Sequence, residues 1–117
     1  MDQKRRGKDQ PLRPVEFHIL LSLAGGERHG YGIIQDIEAR GETSVPDLGT
    51  MYRALARMVE DRLIQAVRRP APDADDERRN YYRITEAGRR VARAEAQRLE
   101  VLTRAARSFG LLAKGTK

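Results

Sequence analysis

The chain has 117 residues, 39% of them hydrophobic and 34% charged, which is the length of one domain with enough apolar material for a small core. It carries 23 basic against 17 acidic residues, a net charge of +6, and no cysteine. That balance excludes a disulfide scaffold, a thiolate zinc centre and a cysteine nucleophile, and the longest apolar runs, such as Ile19 to Leu21, are far too short to cross a bilayer. Of the 23 cations 19 are Arg, whose flat guanidinium fork suits phosphate oxygens and guanine edges better than a Lys point charge does. Such a chain is expected in the cytoplasm with nucleic acid as its partner, an anionic membrane surface being the lesser alternative.

The charge is segmented: +3 over residues 1–14, −3 over 15–45 and +5 over 85–117. The first ten residues, MDQKRRGKDQ, hold no apolar anchor, so residues 1–13 read as a disordered basic arm, and no continuous apolar stretch follows that would make it a secretory signal. Pro14 suits the first turn of a helix, because the N–H it lacks would be unpaired there in any case. From Val15 to Ala24 apolar residues fall on nearly every side, which predicts a buried helix stopped by Gly25-Gly26. A second helix is predicted from about Tyr31 to Arg40, with Ile33, Ile34 and Ile37 inward and Gly41 after its end. Asp47 is the N-cap of a third, in which Leu48, Met51, Leu55, Met58 and Val59 recur at helical spacing.

The opposite face of that third helix holds Gly49, Thr50, Arg53 and Arg57, which at 100° per residue lie within about a third of the circumference. Tyr52 falls on the shoulder, its ring inward and its hydroxyl outward. Leu63 to Arg69 and Asn80 to Ile84 are short strand candidates joined by RPAPDADDE, a loop of two prolines and four acids. Thr85 then caps a helix running to about Phe109, with Gly110 as its stop and Ala92, Ala96, Leu99, Leu102, Ala106 and Phe109 as its stripe. A helix of about 24 residues is about 36 Å long. Its far half outruns the rest of so small a domain, so the stripe implies a partner helix. The expected fold is mainly α with a small β-hairpin: a winged helix-turn-helix over 14–84, a dimerisation helix over 85–110 and a tail over 111–117.

Three stretches carry a resemblance: FHILLSLAGGERHGYGI, GTMYRALARMVEDRLI and DERRNYYRITEAGRR. HGY before the second helix, GT-x-YRAL in the third and YYR-x-T-x-AGR after the hairpin stand in the order and spacing of the PadR family, transcriptional regulators named for phenolic-acid-responsive repressors. The resemblance covers about Pro14 to Phe109. It implies a dimeric DNA-binding repressor or regulator whose third helix enters the major groove and whose last helix pairs the subunits. Thr50, Tyr52 and Arg53 match the family's recognition-helix motif; His29, Gly30 and Tyr31 match the second-helix motif; Arg79, Tyr81 and Tyr82 match the strand after the wing. The chain departs from the pattern where Asp47-Leu48 replaces the frequent Ser-Pro. Its wing tip is acidic at Asp73, Asp75, Asp76 and Glu77, and those carboxylates repel phosphate. It also lacks the tryptophans with which some members stack planar drugs.

The DNA-contacting set expected on these grounds is Tyr31, Gly49, Thr50, Tyr52, Arg53, Arg57, Arg78 and Arg79. Thr50 and Arg53, in the first half of the helix, are candidates for base edges and Arg57 for phosphate. For the tyrosines the competing role is core packing, and for Arg78 and Arg79 it is pairing with the adjacent acids. His18 and His29 are expected to be structural. No zinc, calcium, nucleotide or nucleophile-base spacing is present, so neither a metal, a cofactor nor an enzyme is expected. A small-molecule effector is expected in a cleft between core and long helix lined by Phe17, Leu21, Leu99, Leu102 and Phe109. The alternative function is a winged-helix protein-interaction module without specific DNA readout; an adaptor lying on a membrane through the Arg-rich last helix is a third.

Overall fold

The computed structural model describes residues 12–42, 44–70 and 78–113, with the backbone alone at 70, 78 and 79. Four helices and three short strands run in the order α1 (Pro14–Ala24), β1 (Arg28–His29), α2 (Gly30–Ala39), α3 (Leu48–Glu60), β2 (Ile64–Pro70), β3 (Arg78–Ile84) and α4 (Glu86–Ser108). This is a mostly helical winged helix, but the sheet has three strands rather than a bare hairpin. The two-residue β1 adds to the edge of β3, giving the order β1-β3-β2, antiparallel throughout. In β2 and β3 the register pairs Ile64 with Ile84 and Ala66 with Tyr82; of these Ile64 and Tyr82 are buried in the core.

The core is one cluster. Ile19, Leu20 and Leu23 of α1, Ile33 and Ile37 of α2, and Met51, Leu55 and Met58 of α3 all lie at 1% exposure or less. Each such side chain contributes about 2 kcal/mol by leaving water. Three expectations need correction. Helix α1 is not buried on every side: Leu21 is 41% exposed and Phe17 half-buried, because that side of α1 faces α4 across a groove. Leu48 is exposed and Ala54 takes its place in the core, since the first turn of α3 precedes the stretch that packs. Leu12, assigned above to the arm, is buried; it stands just ahead of the helix cap, where an apolar residue folds back on the first turn. Residues 1–11, the acidic run from Asp73 to Glu77 and residues 114–117 lie outside the described residues.

Helix α4 is tied to the core at its start. The Thr85 hydroxyl donates toward the carbonyls of Arg62 (2.8 Å) and Leu63 (3.0 Å) and accepts from Gly88 N–H at 3.0 Å. A Cβ on Gly88 would sit 2.1 Å from the Leu63 carbonyl oxygen, so only glycine permits the helix to approach that backbone. At the other end Gly110, at φ 81°, closes α4. Leu111 N–H donates to the Ala106 carbonyl (2.8 Å) and Gly110 N–H to that of Arg107 (3.1 Å), which leaves Phe109 and Leu111 exposed.

Candidate nucleic-acid interface

Helix α3 begins where it does because of Asp47. Its backbone is extended (φ −72°, ψ 171°), and its Oδ1 accepts from Thr50 N–H at 2.8 Å. That backbone hydrogen bond, helped by the Thr50 hydroxyl and the nearby Arg53 charge, holds the Asp47 carboxyl below the usual aspartate value. The cap faces Gly49, Thr50 and Arg53 outward. Arg53 Nη2 donates to Thr50 Oγ1 at 3.3 Å, so two polar side chains in the first half of α3 are oriented together. Arg53 makes no ion pair among the described residues. A Cβ on Gly49 would meet Arg53 Nη1 at an ordinary 3.5 Å, so the free protein does not require glycine there.

Tyr52 and Tyr31 flank this row and are both exposed. The Tyr52 ring lies over the start of α2, where a Cβ on Gly30 would stand 2.5 Å from its hydroxyl. The glycine of HGY thus makes room for the tyrosine of α3, which joins two of the three motifs in space. Burial, with Tyr52 nearby as a second cause, raises the Tyr82 hydroxyl above its ordinary value. His29 caps α2 by accepting from Gly32 N–H through Nδ1 at 3.1 Å, and its ring meets Tyr81 edge-on at 5.4 Å. His18 lies on α1 with Nε2 3.5 Å from Glu42, while its carbonyl accepts from Arg40. No cluster of three metal-ligating side chains occurs among the described residues.

Arg57 departs from the row. Its Nε turns toward Glu16 of α1, 4.0 Å away, although 41% of its side chain stays exposed. The side chains of Arg78 and Arg79 lie outside the described residues. Sequence reasoning passed over Arg69 and Arg83, which share the outer face of the sheet. Glu27, just ahead of β1, bridges them: Arg69 Nη2 donates to its Oε1 at 2.5 Å and Arg83 Nε to its Oε2 at 3.0 Å. The Arg69 hydrogen bond is the main reason the Glu27 carboxyl lies below the usual glutamate value. The alternation along β2 and β3 was a signal for the two arginines, but nothing in the sequence pointed to Glu27.

Of the residues expected to line an effector cleft, Phe17 and Leu21 border a groove. A groove of about 200 Å³ between α1 and α4 is lined by Phe17, Leu20, Leu21 and Ala24 on one side and by Ile84, Arg89, Ala92, Arg93 and Ala96 on the other. Leu99, Leu102 and Phe109 are not in it. Helix α1 has only 11 residues, and the last part of α4 extends past its reach.

The family model described as "Transcriptional regulator PadR-like family" matches residues 19–94, from the first core positions of α1 into α4. The chain belongs to the PadR-like family of transcriptional regulators. Solved PadR structures have the same fold. A PadR family regulator from Clostridium difficile is 25% identical, with a TM-score of 0.69 over 81% of this chain and 96% of that one. A transcriptional regulator from Clostridium thermocellum is 28% identical, also at 0.69, over 82% and 89%. Bacillus subtilis PadR in complex with operator DNA is 19% identical, with a TM-score of 0.64 over 70% of this chain and 46% of that one, a likeness of fold. No curated protein sequence matches the chain. Among the described residues no helix is long and apolar enough to cross a membrane.

Proposed function

We propose that this PadR-like chain is a homodimeric, ligand-responsive transcriptional repressor in the cytoplasm that reads an inverted-repeat operator by placing α3 in the major groove. The observation that carries the reading is the pair formed by Thr50 and Arg53: an oriented hydroxyl and guanidinium on the outward first half of a capped helix, with the arginine in no ion pair among the described residues. Thr50 and Arg53 meet base edges. Gly49 lets the groove wall approach, and the Tyr31 and Tyr52 hydroxyls, with Arg78 and Arg79 at the rim, donate to phosphate. A net charge of +6 makes binding steeply salt-dependent.

Two copies pair through the stripe of α4 beyond Ala92, which packs on the core: Ala96, Leu99, Leu102, Ala106 and Phe109. Leu102 is 51% and Phe109 83% exposed in the single chain, which leaves an apolar face for a second helix. A two-fold axis then sets the reading helices on half-sites about one helical turn apart. Repression follows from occluding polymerase. An effector entering the groove at Phe17 and Leu21 releases the operator by changing the spacing of the two α3 helices, since it must bind the two states differently.

The test is selection of genomic fragments by the purified chain at moderate salt. Enrichment of one inverted repeat is the expected result. Recovery of no motif, with retention that only fades as salt rises, would overturn sequence-specific readout and leave a protein-interaction module.

A further inference from the structure

A carboxylate is almost never fully buried unless something pairs with it, yet Glu16 of α1 is 1% exposed. Its Oε1 accepts from the Arg13 N–H at 2.9 Å, which closes the first turn of α1. Its Oε2 faces Arg57 Nε of α3 at 4.0 Å, within reach of an ion pair but not of a hydrogen bond. That Nε is shielded from solvent and makes no hydrogen bond of its own. Helical spacing alone places Arg57 on the outward row one turn beyond Arg53; the fold draws the middle of its side chain inward.

Stability alone does not account for such a pair, because Arg57 is 41% exposed and solvent screens its attraction to Glu16. What a charge pair with one buried partner adds is direction. The inward face of α3 rests on Met51, Leu55 and Met58, all without exposure. Methionine is the most adaptable of core side chains, so these contacts hold a helix against the core without fixing its rotation closely. We infer that Glu16 and Arg57 are positioning residues for DNA reading: the buried Glu16 carboxylate of α1 draws in Arg57 and so sets the rotation of α3 that aims Thr50 and Arg53. The inference rests on the proposed DNA reading and assigns Arg57 a different duty from the phosphate contact expected of it from the sequence.

The test uses the full chain, a duplex bearing the selected operator and a scrambled duplex of equal length, with affinities read by fluorescence anisotropy over a range of KCl. Arg57→Lys keeps the charge but loses the mid-chain Nε that faces Glu16. It is expected to lower operator affinity about tenfold, the cost of one mis-set base contact, while affinity for the scrambled duplex and the salt slope stay unchanged. Glu16→Gln, at a residue no DNA can reach, is expected to give the same tenfold loss, and the double variant to be no weaker than the weaker single. Operator binding by Arg57→Lys at the wild-type level, with Arg57→Ala flattening the salt slope by about 0.9, would show a phosphate contact and overturn the inference. So would Glu16→Gln with unchanged operator affinity. If thermal melting shows that Glu16→Gln does not fold, Arg57→Lys decides alone. A wild-type chain that does not distinguish operator from scrambled duplex overturns the DNA reading itself and the inference with it, and is told apart by arising without any substitution.

Discussion

The first two turns of α4 and its last three are built from similar residues and live in different surroundings. At the start, Thr85 bonds to the turn before β2, Gly88 lies against the Leu63 carbonyl, and Val91 and Ala92 pack on the core. From residue 96 to 105 every position is exposed, including Leu99, Val101 and Leu102. The near half of α4 belongs to the winged helix. The far half is ordered by its own hydrogen bonds and closed by the Gly110 cap, and among the described residues nothing buries its apolar stripe. The same stripe therefore has two parts in sequence: one anchors the helix to the core, and the next is an exposed apolar surface, which the proposed function gives to a second copy.

Substitution breaks the two halves differently. The largest effect is expected for Gly88→Val, whose side chain would collide with backbone rather than with a movable side chain. Chemical denaturation should show a loss of about 3 kcal/mol. Leu102→Asp should change the stability of the single chain by less than about 0.5 kcal/mol, because the position is exposed. Sedimentation should nevertheless show a monomer, and operator affinity should fall about a hundredfold once the two reading heads are unlinked. Thr85→Ala removes the cap of α4 together with its bonds to the Arg62 and Leu63 carbonyls and should cost about 1–2 kcal/mol in the same denaturation experiment.

The smallest effect is read by pH. Asp36 of α2 lies below its ordinary value of 3.8, mainly because the Ser22 hydroxyl donates to it, with Arg28 and Arg40 adding to the effect. A carboxyl depressed in the folded state stabilises fully above its unfolded value. That contribution is lost as the pH falls through the folded value, since the unfolded chain takes up the proton first. Ser22→Ala should raise the Asp36 midpoint in an NMR titration and narrow the pH interval over which stability declines. No comparable change is expected at Glu95 on α4, whose carboxyl is held low chiefly by its hydrogen bonds with Arg98.

The helices were legible because each pairs apolar positions with a start or a stop: Gly25-Gly26 after α1, Gly41 after α2, the Asp47 cap before α3 and the Thr85 cap before α4. The placement of Thr50 and Arg53 on one outer row of α3 was legible for the same reason, since the period that buries Met51 and Met58 turns those two outward. What was not legible depends on neighbours distant in sequence. A strand of two residues, Arg28 and His29, has no pattern to display and exists only because β3 offers an edge. Leu48 has the right period but lies too early in its helix to pack. Glu16 stands in the first turn of α1, and only the fold shows it buried, with Arg57 of a distant helix 4.0 Å away. The groove between α1 and α4 was anticipated at Phe17 and Leu21, but its far wall was placed too far along α4, because a stripe gives direction around a helix and not the point at which the neighbouring helix ends.

The most direct test of the account is the affinity of Arg53→Ala for the selected operator, measured beside the wild type at several salt concentrations. Loss of a base-edge arginine should weaken operator binding by about tenfold to a hundredfold and relax the sequence preference at one position of each half-site. Affinity for scrambled DNA should change little. Equal affinity of the two proteins for the operator, with the same preference at every position, would contradict the reading of α3 as the element that recognises DNA.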